Sequence, residues 1–301
     1  MRLLEVIQRG TTFLESRGVE SPRLQVELIL AHALRIPRLH LYLQFDRPLP
    51  TETLDAAREA IQRRGQRIPL QHILGSTSFC GLDLEVSPDV LIPRPETEGL
   101  AEHAWTWLNR RAPGPADPAT STPAQVLDWG TGSGCLAIAI AHHHPNARIT
   151  ALDVSPASLA VARRNAARHE VANRIEFLLS DGTESLPANC RFHLVVGNPP
   201  YIPTAEIETL EPEVRDHDPR LALDGGPDGL DFYRGLAANL GHRLLPGGAI
   251  MLEFGDGQAS DIARLLSAAG WPAPEIHRDA TGRERFLVAE SPGPAVPSRN
   301  S

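Results

Sequence analysis

The run Val126-Leu127-Asp128-Trp129-Gly130-Thr131-Gly132-Ser133-Gly134 is a short apolar strand that ends in three glycines at alternate positions. Leu136 to Ala141 then begins a helix, so the segment reads strand, loop, helix. Glycines let the backbone turn tightly and approach a ligand without a Cβ in the way, and the helix N-terminus offers unpaired N–H groups. Such a loop, taken alone, serves a dinucleotide, another nucleoside cofactor, or no ligand at all. Two details narrow it. Cys135 stands where the dinucleotide fingerprint Gly-x-Gly-x-x-Gly places its last glycine. Asp153 closes the next strand, 23 positions after Gly130, where an acid accepts hydrogen bonds from both hydroxyls of a ribose.

Downstream, strands and helices alternate. Ile149 to Leu152 is a second strand, and Ser155-Pro156 opens a second helix with a capping serine and a proline in the first turn. Ile175 to Leu179 and Leu194 to Val196 are further strands. Tyr233 to Leu240 is helical, Ala249 to Phe254 is a strand after a Pro246-Gly247-Gly248 turn, Ile262 to Ala269 is a helix, and Phe286 to Ala289 is a last strand. This alternation predicts an α/β fold with a doubly wound parallel sheet, its ligand crevice at the carboxyl ends of the strands near the switch in strand order.

Upstream, residues 1–75 read as short helices. Leu3, Val6, Ile7, Phe13 and Leu14 recur at helical spacing, Ser21-Pro22 is a helix start with Ser21 capping and Pro22 in the first turn, and Thr51-Glu52 opens a helix that closes near Gly65. Leu82, Leu84 and Val86 alternate with Asp83 and Glu85, a period-2 pattern that predicts an extended hairpin after the Phe79-Cys80-Gly81 bend. A helix from about Pro95 to Asn109 follows. Residues 112–123 are a Pro-rich surface loop. The expected organisation is a helical substrate-binding domain (1–75), a β-hairpin connector (76–94), the catalytic domain (95–290) and a disordered tail (291–301).

Composition excludes several classes. At 301 residues the chain can bury a core without covalent staples. No apolar run is long enough to span a membrane. Three scattered cysteines argue against a disulfide framework or zinc knuckle and fit a reducing cytoplasm. The formal charge of −8 disfavours broad electrostatic binding to nucleic acid. All 29 basic residues are Arg, which reads as a coding bias. His142-His143-His144 are consecutive on a helix, point in different directions and are read as surface. Cys135 is read as a small buried filler and Glu253 as structural. Arg94 and Glu96 either close over a ligand or pair with each other.

Asn198-Pro199-Pro200-Tyr201 follows the fourth strand and carries the chemistry. Two prolines stop the strand and stiffen the loop. The Asn side-chain oxygen and the Pro199 carbonyl together offer two acceptors for a planar –NH₂ group, and Tyr201 offers a flat wall for it. A conjugated nitrogen is a poor nucleophile because its lone pair is delocalised. Two acceptors on its hydrogens return electron density to nitrogen and aim the lone pair.

The loop Gly130 to Gly134 with Asp153 resembles the S-adenosylmethionine site of class I methyltransferases, and the tetrapeptide resembles that of enzymes acting on the amino groups of adenine and guanine and on the glutamine amide. Longer stretches resemble the protein-(glutamine-N5) methyltransferase family: Pro69 to Gly75, Phe79 to Leu82, Leu91-Ile92-Pro93-Arg94-Pro95-Glu96-Thr97-Glu98, Ala222 to Arg234, and Arg278 to Arg285. The likeness is nearest to the branch that methylates class 1 peptide chain release factors. It implies a class I S-adenosylmethionine-dependent methyltransferase, Rossmann-like and doubly wound, with a small N-terminal helical domain. It implies that Gly130, Thr131, Gly132, Ser133, Gly134, Asp153, Asp181, Gly182 and Asn198 bind the cofactor, and that Asn198, Pro199, Pro200 and Tyr201 hold and activate the glutamine of a Gly-Gly-Gln loop. Asp181 either accepts from the adenine amine or caps a helix. The family often has an aromatic residue where this chain has Gly182, which leaves backbone contact alone there. The expected partner is a class 1 release factor, met by a cytoplasmic monomer that binds neither membrane nor, stably, nucleic acid. The alternatives are glutamine methylation of a ribosomal protein, amino-group methylation of a nucleic-acid base, which requires base flipping, or a degenerate cofactor-binding protein.

Overall fold

The structure, a computed structural model, describes residues 1–111 and 122–291, and the predicted Pro-rich loop and tail lie almost wholly outside them. The chain divides into two compact units, one of residues 1–76 with 210–217, the other of residues 77–209 with 218–301.

The first unit is helical: α1 (Leu3–Ser16), α2 (Pro22–Leu34), α3 (Thr51–Gly65) and α4 (Leu70–Leu74). Leu3, Ile7, Leu14, Val26, Ile29, Leu30 and Ala57 form its core. Pro22 sits in the first turn of α2, but Ser21 adopts φ 47° and makes no side-chain cap, so the predicted capping does not occur. The segment 210–217 adds one helical turn, Pro212–Arg215, whose Glu213 accepts hydrogen bonds from Arg64 and Arg67.

The second unit opens with a hairpin, β1 (Ser76–Phe79) and β2 (Leu82–Glu85). Its two turn residues, Cys80 and Gly81, both have positive φ, the conformation a tight hairpin demands. Then come α5 (Pro95–Arg111), β3 (Ala124–Trp129), α6 (Cys135–His143), β4 (Ala147–Asp153), α7 (Pro156–Arg168), β5 (Ile175–Leu179), β6 (Phe192–Gly197), α8 (Asp231–Asn239), β7 (Leu244–Glu253), α9 (Ala259–Ala268), β8 (Glu275–Arg278) and β9 (Glu284–Glu290). Ser155 caps α7, accepting from the Ser158 amide at 3.1 Å.

The seven-stranded sheet runs β5-β4-β3-β6-β7-β9-β8. The first five strands are parallel, whereas β9 is antiparallel to both β7 and β8. The short link between β8 and β9 permits only a hairpin, since a parallel crossover needs a dozen or more residues. Sequence periodicity misses β8, which has no buried residue. The predicted turn Pro246-Gly247-Gly248 lies inside β7, where the register against β6 shifts and the strand continues.

The strand order reverses between β3 and β6. Their carboxyl-terminal loops therefore diverge and open the crevice that α/β sheets use for ligands. Both key segments, 130–134 and 198–201, start there. One apolar cluster lies under α5 and α6, and a second is built from α8, α9 and the far side of the sheet.

Candidate active site

A cavity of about 250 Å³ lies at this crevice. Gly130, Thr131, Gly132, Ser133, Asp153, Asp181, Asn198 and Pro200 line it, as do Trp129, Val154 and Phe232. Gly134, Gly182, Pro199 and Tyr201, all expected at the site, do not.

The glycine loop is held from beneath. Asp128, fully buried at the end of β3, accepts from the Thr131 hydroxyl at 2.7 Å and the Ala137 amide at 3.1 Å through one oxygen. Its other oxygen is buried and unpartnered, and burial pushes the carboxyl up to about 7. Gly130 and Gly132 have φ of 78° and 54°. A Cβ on either would meet nothing within 4 Å, so the loop presents an open backbone cradle. Gly134, at φ 84°, instead lets α6 pack closely on Ala162 of α7.

Asp153 closes β4. Its oxygens accept from the Gly132 amide at 2.8 Å and the Ser155 amide at 2.9 Å, which fixes the carboxylate against the loop and leaves each oxygen a second lone pair. Asp181 is exposed at the cavity rim, and Gly182 is buried beside it. These features fit a nucleoside with a zwitterionic tail: an acid for the ribose, a backbone cradle, and walls from Trp129, Val154 and Phe232, with Arg94 the one basic side chain among the described residues that line the cavity, too few for a pyrophosphate.

Asn198 follows β6, and its Nδ2 donates to the Thr97 hydroxyl at 3.1 Å. Thr97 Oγ1 in turn donates to Glu253 Oε2 at 2.7 Å. The Tyr201 hydroxyl reaches Glu253 Oε1 at 3.4 Å, and Tyr233 donates to the Glu253 carbonyl at 2.6 Å. Tyr201 thus stands behind the cavity wall, its ring close to Gly255, and burial pushes its phenol up. The backbone of the tetrapeptide is fixed from the other side. Gln258 Nε2 donates to the Tyr201 carbonyl at 2.9 Å, and a Cβ on Gly229 (φ 76°) would collide with that carbonyl. This explains the glycine-rich run after Leu223.

Sequence reasoning did not single out Thr97 and read Glu253 as structural, and the structure joins both to Asn198. The available signals were a threonine inside the Leu91–Glu98 stretch and an acid ending the apolar run Ile250-Met251-Leu252. Glu253 is 1% exposed, and burial pushes its carboxyl up to about 7. Arg94 lines the cavity and pairs not with Glu96 but with buried Asp218, at 2.5 Å. Of the three histidines read as surface, His142 and His143 are exposed, His143 stacking on Trp105 at 4.1 Å, but His144 is buried at the helix end and bonds Asn109 at 2.7 Å. Cys135 lines the cavity, and burial pushes its thiol up, which fits a filler rather than a nucleophile.

Residues 5–75 match the family model described as the PrmC N-terminal domain, and residues 118–212 match the methyltransferase small domain. The release factor glutamine methyltransferase of Geobacter sulfurreducens is 45% identical over 91% of this chain and 92% of its own length. That of Deinococcus radiodurans is 39% identical over 97% and 100%, respectively. Among solved structures, the hMettl16 catalytic domain superposes with a TM-score of 0.55 at 14% identity, covering 77% of this chain and 80% of that one. A T. thermophilus 16S rRNA N2 methyltransferase in complex with AdoMet and guanosine superposes with a TM-score of 0.50 at 21% identity, covering 72% and 50%. At these identities the structural neighbours establish the methyltransferase fold alone, while the sequence relatives establish kinship: the chain is an enzyme that belongs to the release factor glutamine methyltransferase family.

Proposed function

We propose that the enzyme methylates the side-chain amide nitrogen of a glutamine, that of the Gly-Gly-Gln motif of class 1 release factors, with S-adenosylmethionine as donor. The observation that carries this reading is Asn198 in the wall of the cavity that also holds Gly130, Gly132 and Asp153, its amide oxygen left free for a substrate by the Nδ2 bond to Thr97. The name shared by relatives over nine-tenths of the chain supports the choice of substrate. When bound, the cofactor supplies an electrophilic methyl group on a sulfonium. Asp153 would hold its ribose, the backbone of Gly130 to Ser133 its methionine tail, and Asp181 its adenine, with Gly134 and Gly182 supporting them from outside the cavity lining.

Asn198 Oδ1 accepts one hydrogen of the glutamine amide, and the other is assigned to the carbonyl of Pro199, which is buried beside the cavity lining and not part of it. The two acceptors restore density to a nitrogen that resonance depletes and aim its lone pair toward the donor. Neither acceptor is a strong base, so positioning carries the acceleration, and the methylated amide, now strongly acidic, gives up its surplus proton to water. Pro200 shapes the slot, and Tyr201 braces it from behind. The helical unit, with Leu39 and Leu43 exposed, is assigned to gripping the protein substrate, by a cytoplasmic monomer of net charge −8 that binds neither membrane nor, stably, nucleic acid. Among the described residues no helix is long and apolar enough to cross a membrane.

The test offers labelled cofactor together with a release factor, the same factor with its motif glutamine changed to alanine, ribosomal proteins and DNA. Label confined to the intact factor is expected, and label on nucleic acid alone refutes the reading. A second expectation concerns the cofactor. Asp153→Ala should weaken its binding by about 1–3 kcal/mol, the loss of a charge-assisted hydrogen bond. Calorimetry giving an unchanged Kd would place the ribose elsewhere.

A further inference from the structure

We infer that Thr97 and Glu253 are positioning residues that lock the Asn198 amide with its oxygen toward the cavity, and that protonation of Glu253 releases the lock. The inference deepens the function proposed above and rests on it for the identity of the substrate only. A side-chain amide has a donor end and an acceptor end of nearly the same shape, so something must choose between its two flips. Asn198 can activate an –NH₂ group only if its oxygen faces that group. With nitrogen in the slot, donors would face donors.

The structure contains the device that chooses. Thr97 has one hydroxyl hydrogen, and it goes to Glu253 Oε2 at 2.7 Å. What Thr97 then offers Asn198, at 3.1 Å, is a lone pair. Only the nitrogen of Asn198 can use it, so the oxygen is left for the cavity. The choice is therefore made by Glu253, because an ionised carboxylate can only accept. Both Thr97 and Glu253 are 1% exposed, which leaves bulk water no easy part in the relay.

Every neighbour of Glu253 bears on this setting. From α5 come the Thr97 hydroxyl and, as a repelling charge, Glu96; from the loop after β6, the Tyr201 hydroxyl; from β9, the Arg285 guanidinium, which favours the ionised form. Tyr233 of α8 binds only the Glu253 carbonyl, at 2.6 Å. Burial outweighs the favourable partners and pushes the carboxyl up to about 7. Once protonated, Glu253 can donate to Thr97 Oγ1. The Thr97 hydrogen is then free to point at Asn198, which favours the flip that puts nitrogen in the slot.

Three variants and one spectrum test this. Thr97→Val keeps the shape and removes the hydroxyl, and should lower kcat about 10- to 100-fold with the cofactor Kd unchanged, the scale of a misaimed catalytic group. Thr97→Ser should restore kcat to within about threefold, since the hydroxyl returns. In the wild type kcat should fall as pH drops through about 7, and in Glu253→Gln this acid limb should vanish. The Asn198 side-chain amide resonances, followed by NMR in the substrate-free enzyme, should titrate over the same range in the wild type and stay flat in Glu253→Gln. A Thr97→Val enzyme with full kcat, an acid limb that persists in Glu253→Gln, or Asn198 resonances blind to pH in the wild type would overturn the lock. Failure of the wild type to methylate any release factor would instead refute the substrate reading, and the resonances would still decide the orientation of Asn198.

Discussion

Asn198→Ala is expected to reduce single-turnover methyl transfer by about 10²–10³-fold, the usual cost of deleting one well-aimed group from a preorganised site, while the protein stays folded. The two halves of that expectation have separate causes. The oxygen of Asn198 holds nothing together in the fold, because the amide's bond within the protein is made by Nδ2 to Thr97. Truncation therefore leaves one buried hydroxyl short of a donor, worth about 1 kcal/mol, and Thr97 keeps its stronger bond to Glu253. Cofactor affinity should change far less than the rate, because Asp153 is fixed by the Gly132 and Ser155 amides and not through Asn198. Rapid-quench kinetics beside calorimetric Kd values separate the two quantities. Undiminished turnover in the variant would remove the proposed role of the tetrapeptide, whatever the substrate.

The crevice was legible because it is built from local signals. A strand that breaks into glycines, an acid at the next strand end and a Pro-Pro stop after a third strand each occupy a few consecutive residues, and the strand-order switch between β3 and β6 then sets them side by side. The parts that escaped depend on partners distant in sequence. Thr97 and Glu253 stand 156 positions apart, and neither residue type announces a bond to the other. Glu253 lies in an apolar run, where an acid reads as a strand-end exception until its hydrogen bonds are seen. Tyr201 looks like a wall from sequence, but its hydroxyl bond to Glu253 draws the ring behind the loop. The antiparallel β8–β9 edge escaped because β8 alternates too weakly between buried and exposed positions to carry a period. Ser21 shows how a correct helix start can rest on a wrong detail, since its left-handed backbone turns the side chain from the capping position.

Glu213→Ala is expected to loosen the helical unit by about 3 kcal/mol, the range for breaking a buried ion pair from one side. Glu213 lies in the segment 210–217, far along the chain from the helices it joins. Its Oε1 accepts from Arg64 at 2.6 Å and from Arg67 at 2.7 Å, and its Oε2 from Arg67 again at 2.6 Å. The Arg64 side chain is 5% exposed. Arg64 also donates to Gln25 Oε1 at 2.5 Å and to the Ile68 carbonyl at 3.3 Å, but both acceptors are neutral, so removing the carboxylate would leave a nearly buried charge uncompensated, a larger loss than the gain once made by forming the pair. Burial pushes the Glu213 carboxyl up, but the Arg67 and Arg64 hydrogen bonds outweigh it and hold the group at about 2. A carboxyl depressed on folding contributes stability that is complete above its unfolded value and is lost as pH falls toward 2. In the wild type, then, resistance of residues 51–67 to urea should decline as the medium is acidified below about pH 4.5, and in Glu213→Ala this pH-dependent component should be gone. Hydrogen exchange across those residues at pH 7 should quicken by about 100-fold in the variant, the equivalent of that energy, if opening of the helical unit governs it. Exchange at the wild-type rate would mean that Gln25, the Ile68 carbonyl or water suffices for Arg64 at almost no cost. Glu213→Gln separates charge from contact. It keeps an acceptor for one arginine and should fall between the two, whereas a Gln variant as stable as the wild type would show that hydrogen bonding, not charge, anchors the segment to its helices.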